Sequence, residues 1–135
     1  MTTITPERVL TIDPFWLALL LDGGLTSKTV EYRARALPAA GEGTDVALHC
    51  AATGKGSMRE AARMILAVAR LTTCRDWACE RCKLSRAATE NYAAQTGRDV
   101  SRWTIGWHVD AVRFVKPVKW RGNVGLRATV ASRWR

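Results

Sequence analysis

A chain of 135 residues is long enough for one domain with one hydrophobic core and short for two. Its apolar fraction of 47% and charged fraction of 24% are those of a folded globular protein and exclude a disordered chain. With 21 Lys and Arg against 12 Asp and Glu, the formal net charge is +9, which points to a polyanionic partner, nucleic acid first and an anionic membrane surface second.

The basic excess is concentrated at one end. Residues 111–135 carry Arg113, Lys116, Lys119, Arg121, Arg127, Arg133 and Arg135 and no acidic residue. The N-terminus, MTTITPERVL, lacks the basic start and apolar stretch of a secretory signal. The longest apolar run, 14–21, is far too short to cross a bilayer. The expected location is therefore the cytoplasm, with the four cysteines as reduced thiols and no membrane partner.

In chain order, Asp13 is placed to cap a short buried helix with Pro14 at its first position, and FWLALLL then runs into Gly23 and Gly24 as stop residues. Residues 30–36 alternate. Val30, Tyr32, Ala34 and Ala36 fall on one face and Glu31, Arg33 and Arg35 on the other, so a strand here presents a row of donors and acceptors. LPAAGEGTD (37–45) reads as a loop before a strand over 46–51, in which Val46, Leu48 and Cys50 point one way and His49 the other. His49 has two readings, a cleft residue or a core histidine bonded to a backbone carbonyl.

The TGKG turn leads to a short helix from Ser57 to about Arg63 and then a central strand through Thr73. Residues 84–96 form an alanine-rich helix ending at Gly97. Trp103, Ile105, Trp107, Val109 and Ala111 alternate with polar neighbours, and the phase then flips to Val112 and Phe114, the mark of a bulge or a barrel corner. KPVKWRGN (116–123) reads as a basic loop, and Val124, Leu126, Ala128 and Val130 as a last strand.

Three segments in this order carry a resemblance: PFWLALLLDGG followed by KTVEYR, then VALHCAA, then WHVDAVRFVKPVKWRGNVGL. Together they resemble the ASCH family, a branch of the PUA-like β-barrels related to EVE and YTH domains, over roughly residues 9–128. The spacing departs from the family signature: Leu25, Thr26 and Ser27 stand between Gly24 and Lys28, where one residue is usual. Residues 74–102 match nothing in the family pattern and read as a divergent insert. The resemblance implies one α+β domain over 1–135, a small mixed β-barrel with flanking short helices and a basic cleft beside the KTVEYR strand.

Such a cleft suits RNA or a modified base better than duplex DNA, because unstacked bases expose their faces to aromatic side chains. Lys28, Arg33 and Arg35 are candidates to hold phosphates, and Trp16, Trp107 or Trp120 to stack on a base. Glu31, His49, Lys116, Lys119 and Arg121 complete the candidate nucleic-acid surface.

Some ASCH relatives are amidohydrolases acting on acetylated cytidine, and others are credited with ribonuclease activity. In that pattern a Thr nucleophile lies three positions after the Lys, whereas here that position is Glu31 and the nearest hydroxyl is Thr29. The nucleophile does not carry over. Lys28, Thr29 and Glu31 remain the candidate catalytic set, with Glu31 as general base and Lys28 stabilising developing negative charge. The competing account of Glu31 is an ion pair that shapes the cleft, and a third class of function is a protein-interaction domain whose basic end meets an acidic partner.

CRDWACERC places Cys74, Cys79 and Cys82 close together with one C-x-x-C pair. The usual zinc module has two separated pairs, so the expectation is free thiols and no cofactor. The alternative is a structural zinc site completed by Cys50 or His49.

Overall fold

A computed structural model describes residues 8–37, 42–51, 62–74, 79–120 and 125–128, the last stretch by its backbone. The fold is α+β. Six strands form one sheet in the order β2-β5-β4-β3-β1-β6, where β1 is Arg8–Ile12, β2 Val30–Arg33, β3 Thr44–Cys50, β4 Met64–Thr73, β5 Ile105–Lys119 and β6 Gly125–Ala128. Helices α1 (Pro14–Leu21), α2 (Gly23–Thr26) and α3 (Glu80–Thr96) pack around it. All neighbouring strands are antiparallel except β1 and β3, which run parallel.

The sheet curls as a partial barrel. Arg33, on edge strand β2, donates through Nη2 to the Thr11 carbonyl on β1 at 3.1 Å, although three strands lie between β2 and β1 in the sheet order. Inside the curl, Leu10, Ile12, Val46, Leu48, Cys50, Ala67, Ala69 and Leu71 meet Leu17 and Leu20 of α1 in the main core. Burying a Leu or Ile side chain contributes about 1.5–3 kcal/mol each, so this cluster dominates the stability of the sheet.

β3 has buried residues on both faces, Val46, Leu48 and Cys50 in the main core and Ala47 in a second cluster with Val9, Ile65 and Trp120. The phase flip in β5 is a bulge: Ala111 takes φ 50, and the register against β4 shifts between Val68 and Arg70.

Several expected boundaries move. β2 ends at Arg33, so Arg35 lies beyond the strand. β3 starts at Thr44, within the expected loop. α3 begins at Glu80 rather than 84, because the Cys79 sulfur caps it by accepting the Cys82 N–H. It ends as expected, at Gly97 in the left-handed region.

The expected basic loop at 116–123 is strand as far as Lys119; Pro117 is tolerated because β2 pairs only with residues 105–108, leaving that edge of β5 without a β2 partner. The expected helix from Ser57 lies outside the described residues except for a turn at 62–63, as do Arg121 and the last residues of the expected final strand.

Close approach of β2 to β5 depends on Gly106. A Cβ there would lie 2.8 Å from Cγ1 of Val30, which is fully buried and β-branched and has few rotamers to escape into. Gly106→Ala is expected to destabilise the fold by about 1–3 kcal/mol, read as a lower midpoint in urea unfolding. An unchanged midpoint would mean that β2 is docked more loosely than this packing requires.

Candidate functional site

The gap between β1 and β2 is a cavity of about 320 Å³. Its walls are Thr11 and Asp13 at the end of β1, Trp16 on α1, the segment Lys28, Glu31, Tyr32 and Arg33, Ala51 after β3, Thr89 on α3, and Val100 and Trp103 in the segment after α3.

The segment that opens β2 supplies the charged wall. Ser27 turns through the left-handed region at φ 61 and delivers Lys28 inward, where only 1% of it is exposed. Its ammonium donates to the Val30 carbonyl at 2.6 Å and lies 3.7 Å from Glu31 Oε1. Two aromatic rings flank it, Trp16 at 5.4 Å and Tyr32 at 5.3 Å from their centroids.

Burial pushes the Lys28 pKa down to about 8, with the neighbouring Glu31 carboxylate opposing the shift and Arg33 adding to it. Glu31 is held from both ends, since its other oxygen accepts from Arg33 Nη2 at 2.9 Å. The Arg33 guanidinium also packs over Trp107 at 5.7 Å. Burial likewise raises Tyr32, to about 12, so its hydroxyl stays protonated and donates to the Cys82 carbonyl.

Of the residues singled out in the sequence, Trp16, Lys28, Glu31 and Arg33 meet at this cavity. The others among the described residues lie elsewhere. Thr29 is not part of the lining; its hydroxyl accepts from Arg81 Nε at 2.9 Å and its carbonyl from Arg81 Nη2 at 2.8 Å. Arg35 is exposed past the strand, and its carbonyl accepts the indole N–H of Trp107. Trp107 itself is a core residue, and Trp120 belongs to the second cluster. Lys116 and Lys119 are exposed near the far end of β5 from its pairing with β2.

His49 is a structural histidine. Its Nε2 lies 2.7 Å from the Trp120 carbonyl, which can only accept, so Nε2 carries the proton and Nδ1 accepts from the Thr11 hydroxyl at 3.1 Å. Burial lowers its pKa, which keeps the ring neutral.

The wall that the sequence did not anticipate comes from residues 79–103. Ser85 accepts both the Thr29 and Val30 N–H groups on its hydroxyl, at 3.2 and 3.1 Å, and so fastens α3 to β2. Arg86 packs over the Tyr32 ring at 4.9 Å and donates to the Val100 and Trp103 carbonyls, which brings Trp103 to the cavity with 40% of it exposed. Arg98 sits 3.9 Å over Phe15 and ties the same segment to α1.

On the opposite side of β2, Cys74, Cys79 and Cys82 converge with His108, their ligand atoms all within 4.8 Å of one another. The fourth member is His108 rather than the expected Cys50 or His49, because Cys50 points into the main core and His49 is held by Thr11 and Trp120. No local sequence signal marks this partner: it is the β4–β5 register that sets His108 opposite Thr72, two residues before Cys74.

No protein-family model matches this chain, and none of the curated proteins searched is similar to it.

Lys28 is expected to titrate well below the ordinary lysine value, near pH 8, when followed by NMR of its side-chain ammonium. Because its pKa is lower folded than unfolded, the unfolded chain binds more protons between about pH 8 and 10.5, and stability rises with pH through that window. Wild type should therefore gain stability relative to Lys28→Met as the solution is made more alkaline across this range, at a slope approaching about 1.4 kcal/mol per pH unit. A flat difference would mean that the ammonium is hydrated.

Proposed function

We propose that this chain is an ASCH-type, PUA-like module that binds RNA by admitting one unpaired or modified base to the cavity between β1 and β2. The observation that carries the reading is the lining itself: Trp16, Tyr32 and Trp103 offer aromatic surface beside the fixed polar groups of Lys28, Glu31 and Arg33. Aromatic faces accept any base by stacking, and oriented donors and acceptors then read its edge.

The charge balance supports a base rather than a phosphate as the occupant. Lys28 and Arg33 are matched within the lining by Asp13 and Glu31, so the cavity holds no net excess of formal positive charge. The phosphates of flanking nucleotides would instead meet the outer surface of a chain of net charge +9. The basic end of the chain then supplies affinity and the cavity supplies selection.

A second reading, hydrolysis of a modified nucleoside or of RNA, is favoured by one observation, the buried Lys28 ammonium beside the Glu31 carboxylate. In that reading Glu31 takes a proton from an attacking water and Lys28 stabilises the oxyanion that forms. Thr29 has no part in it, since its hydroxyl is held by Arg81 away from the lining.

Titration with labelled single-stranded RNA, single-stranded DNA and duplex DNA at two salt concentrations tests the proposal, with the recovered RNA run on a denaturing gel. The expected result is salt-sensitive binding that prefers single-stranded RNA, and intact RNA. Trp103→Ala should weaken it by about 1–3 kcal/mol, roughly five- to a hundred-and-fiftyfold in Kd. Equal affinity for duplex DNA would count against a base-admitting cavity. RNA cut by wild type but not by Glu31→Gln would put the hydrolase first.

A further inference from the structure

α3 is a 17-residue helix whose buried face consists of Cys82, Ser85, Thr89 and Ala93. These are small or polar side chains, and none is a Leu, Ile, Val, Met or Phe. A helix of this length in a globular fold ordinarily docks by an apolar stripe, and burial of one Ala and one Cys falls short of that. The Ser85 hydrogen bonds hold one point along the helix and Arg81, in the first turn, holds another through Thr29, Asp110 and Val109, so polar contacts at a few points dock the helix in place of an apolar stripe.

At that first turn stand Cys79, the N-cap, and Cys82, both beside Cys74 at the end of β4 and His108 on β5. Cys74 and Cys79 sulfurs are 4.0 Å apart, and Cys82 Sγ is 3.2 Å from His108 Nε2. A tetrahedral zinc with Zn–S of about 2.3 Å and Zn–N of about 2.0–2.1 Å separates its ligand atoms by about 3.6–3.8 Å. The observed spacings bracket that range.

None of the cysteines is in a disulfide. The Cys82 N–H points to Cys79 Sγ at 3.4 Å, the type of backbone donor that stabilises a thiolate at a helix N-terminus.

We propose that Cys74, Cys79, Cys82 and His108 bind one zinc ion that pins the start of α3 to β4 and β5. On binding, three thiols release three protons and neutral His108 donates its Nε2 lone pair, leaving a site of net charge −1. The Arg81 guanidinium, next in sequence to Cys82, is anchored on Asp110, Thr29 and Val109 and so fixes the helix turn that carries Cys82. Four protein ligands fill the tetrahedron, and Cys74 and Cys82 are buried, so no position stays open for water or substrate.

The site is structural, and it holds the helix that supplies Ser85, Arg86 and Thr89 to β2 and the cavity wall. Zinc would serve the fold in this way whether or not the cavity takes RNA.

The test is metal analysis of full-length protein purified under reducing conditions without chelator, followed by cobalt(II) substitution. The expected result is one zinc per chain. The cobalt form should show thiolate charge-transfer absorption and the intense visible bands of a tetrahedral centre, and X-ray absorption should give three sulfur neighbours and one nitrogen. Cys50→Ala should retain the metal, whereas His108→Ala and Cys82→Ser should lose it or bind it at least tenfold more weakly.

Chelation should lower Tm, and restoring zinc should recover it. Should either ligand variant fail to fold, the absorption spectrum of the wild-type cobalt form still reads the ligand set. Absence of zinc together with no tetrahedral cobalt spectrum in the reduced, folded protein would overturn the proposal. So would a disulfide between two of the three cysteines in metal-free protein, or a ligand set lacking His108.

Discussion

The hydroxyl of Ser85 is the contact on which most of the arrangement around β2 depends. It takes two backbone N–H groups, those of Thr29 and Val30, at the point where the chain enters its short edge strand. Buried backbone donors left without partners cost about 1–3 kcal/mol each, so removing this hydroxyl would strand two donors in the interior. Because residues three and four apart share a helix face, fixing Ser85 also fixes Cys82 before it and Thr89 after it. One helix face thereby reaches the cysteine cluster at one end and the cavity at the other.

The charged group inside the cavity follows a different physics. Lys28, Glu31 and Arg33 lose hydration when the sheet curls over them, and the lowered Lys28 pKa reports that loss directly. Mutual attraction returns only part of the desolvation cost, so such a triad is weak support for stability. What it supplies is position. The Lys28 ammonium is fixed on the Val30 carbonyl, Glu31 is fixed by two cations, and Arg33 bridges to Thr11 across the gap in the sheet. A ligand entering here would meet dipoles already oriented, with little left to order on binding.

Much of the sheet was legible from alternation because each strand obeys one local rule. Val46, Leu48 and Cys50 read correctly as one buried face, and the phase flip near Ala111, which fitted a bulge or a barrel corner, is a bulge. The short strand β1 gave only five residues of signal, and α2 was hidden behind two glycines that looked like stops. Trp16, Lys28, Glu31 and Arg33, candidates from the sequence, meet at the cavity because α1 and β2 border the same gap in the sheet.

Thr89, Val100 and Trp103 were missed because a long return brings them to the cavity, and no local period records such a return. His108 was missed as a partner for the cysteines for the same reason: its closeness is set by β4–β5 register, whereas Cys50 and His49 are nearer in sequence to Cys74 but belong to the main core and the Thr11–Trp120 bridge.

The segment 74–102 therefore does the most to distinguish this molecule from a bare curled sheet. It contains three of the four clustered side chains, the helix that covers β2, and Thr89 and Val100 of the cavity wall. An apolar helix face could have covered β2 more simply, but a row of Leu or Ile at positions 82, 85 and 89 would have displaced the hydroxyl that satisfies Thr29 and Val30. A polar face keeps those hydrogen bonds, Arg81 fastens the first turn to Thr29, Asp110 and Val109, and a zinc ion held by the cluster beside it would add to that fastening without occupying the cavity. The same constraint explains why the helix begins on a cysteine cap. At that position the sulfur caps the start of the helix, accepts an orphan N–H and faces Cys74, Cys82 and His108 at once.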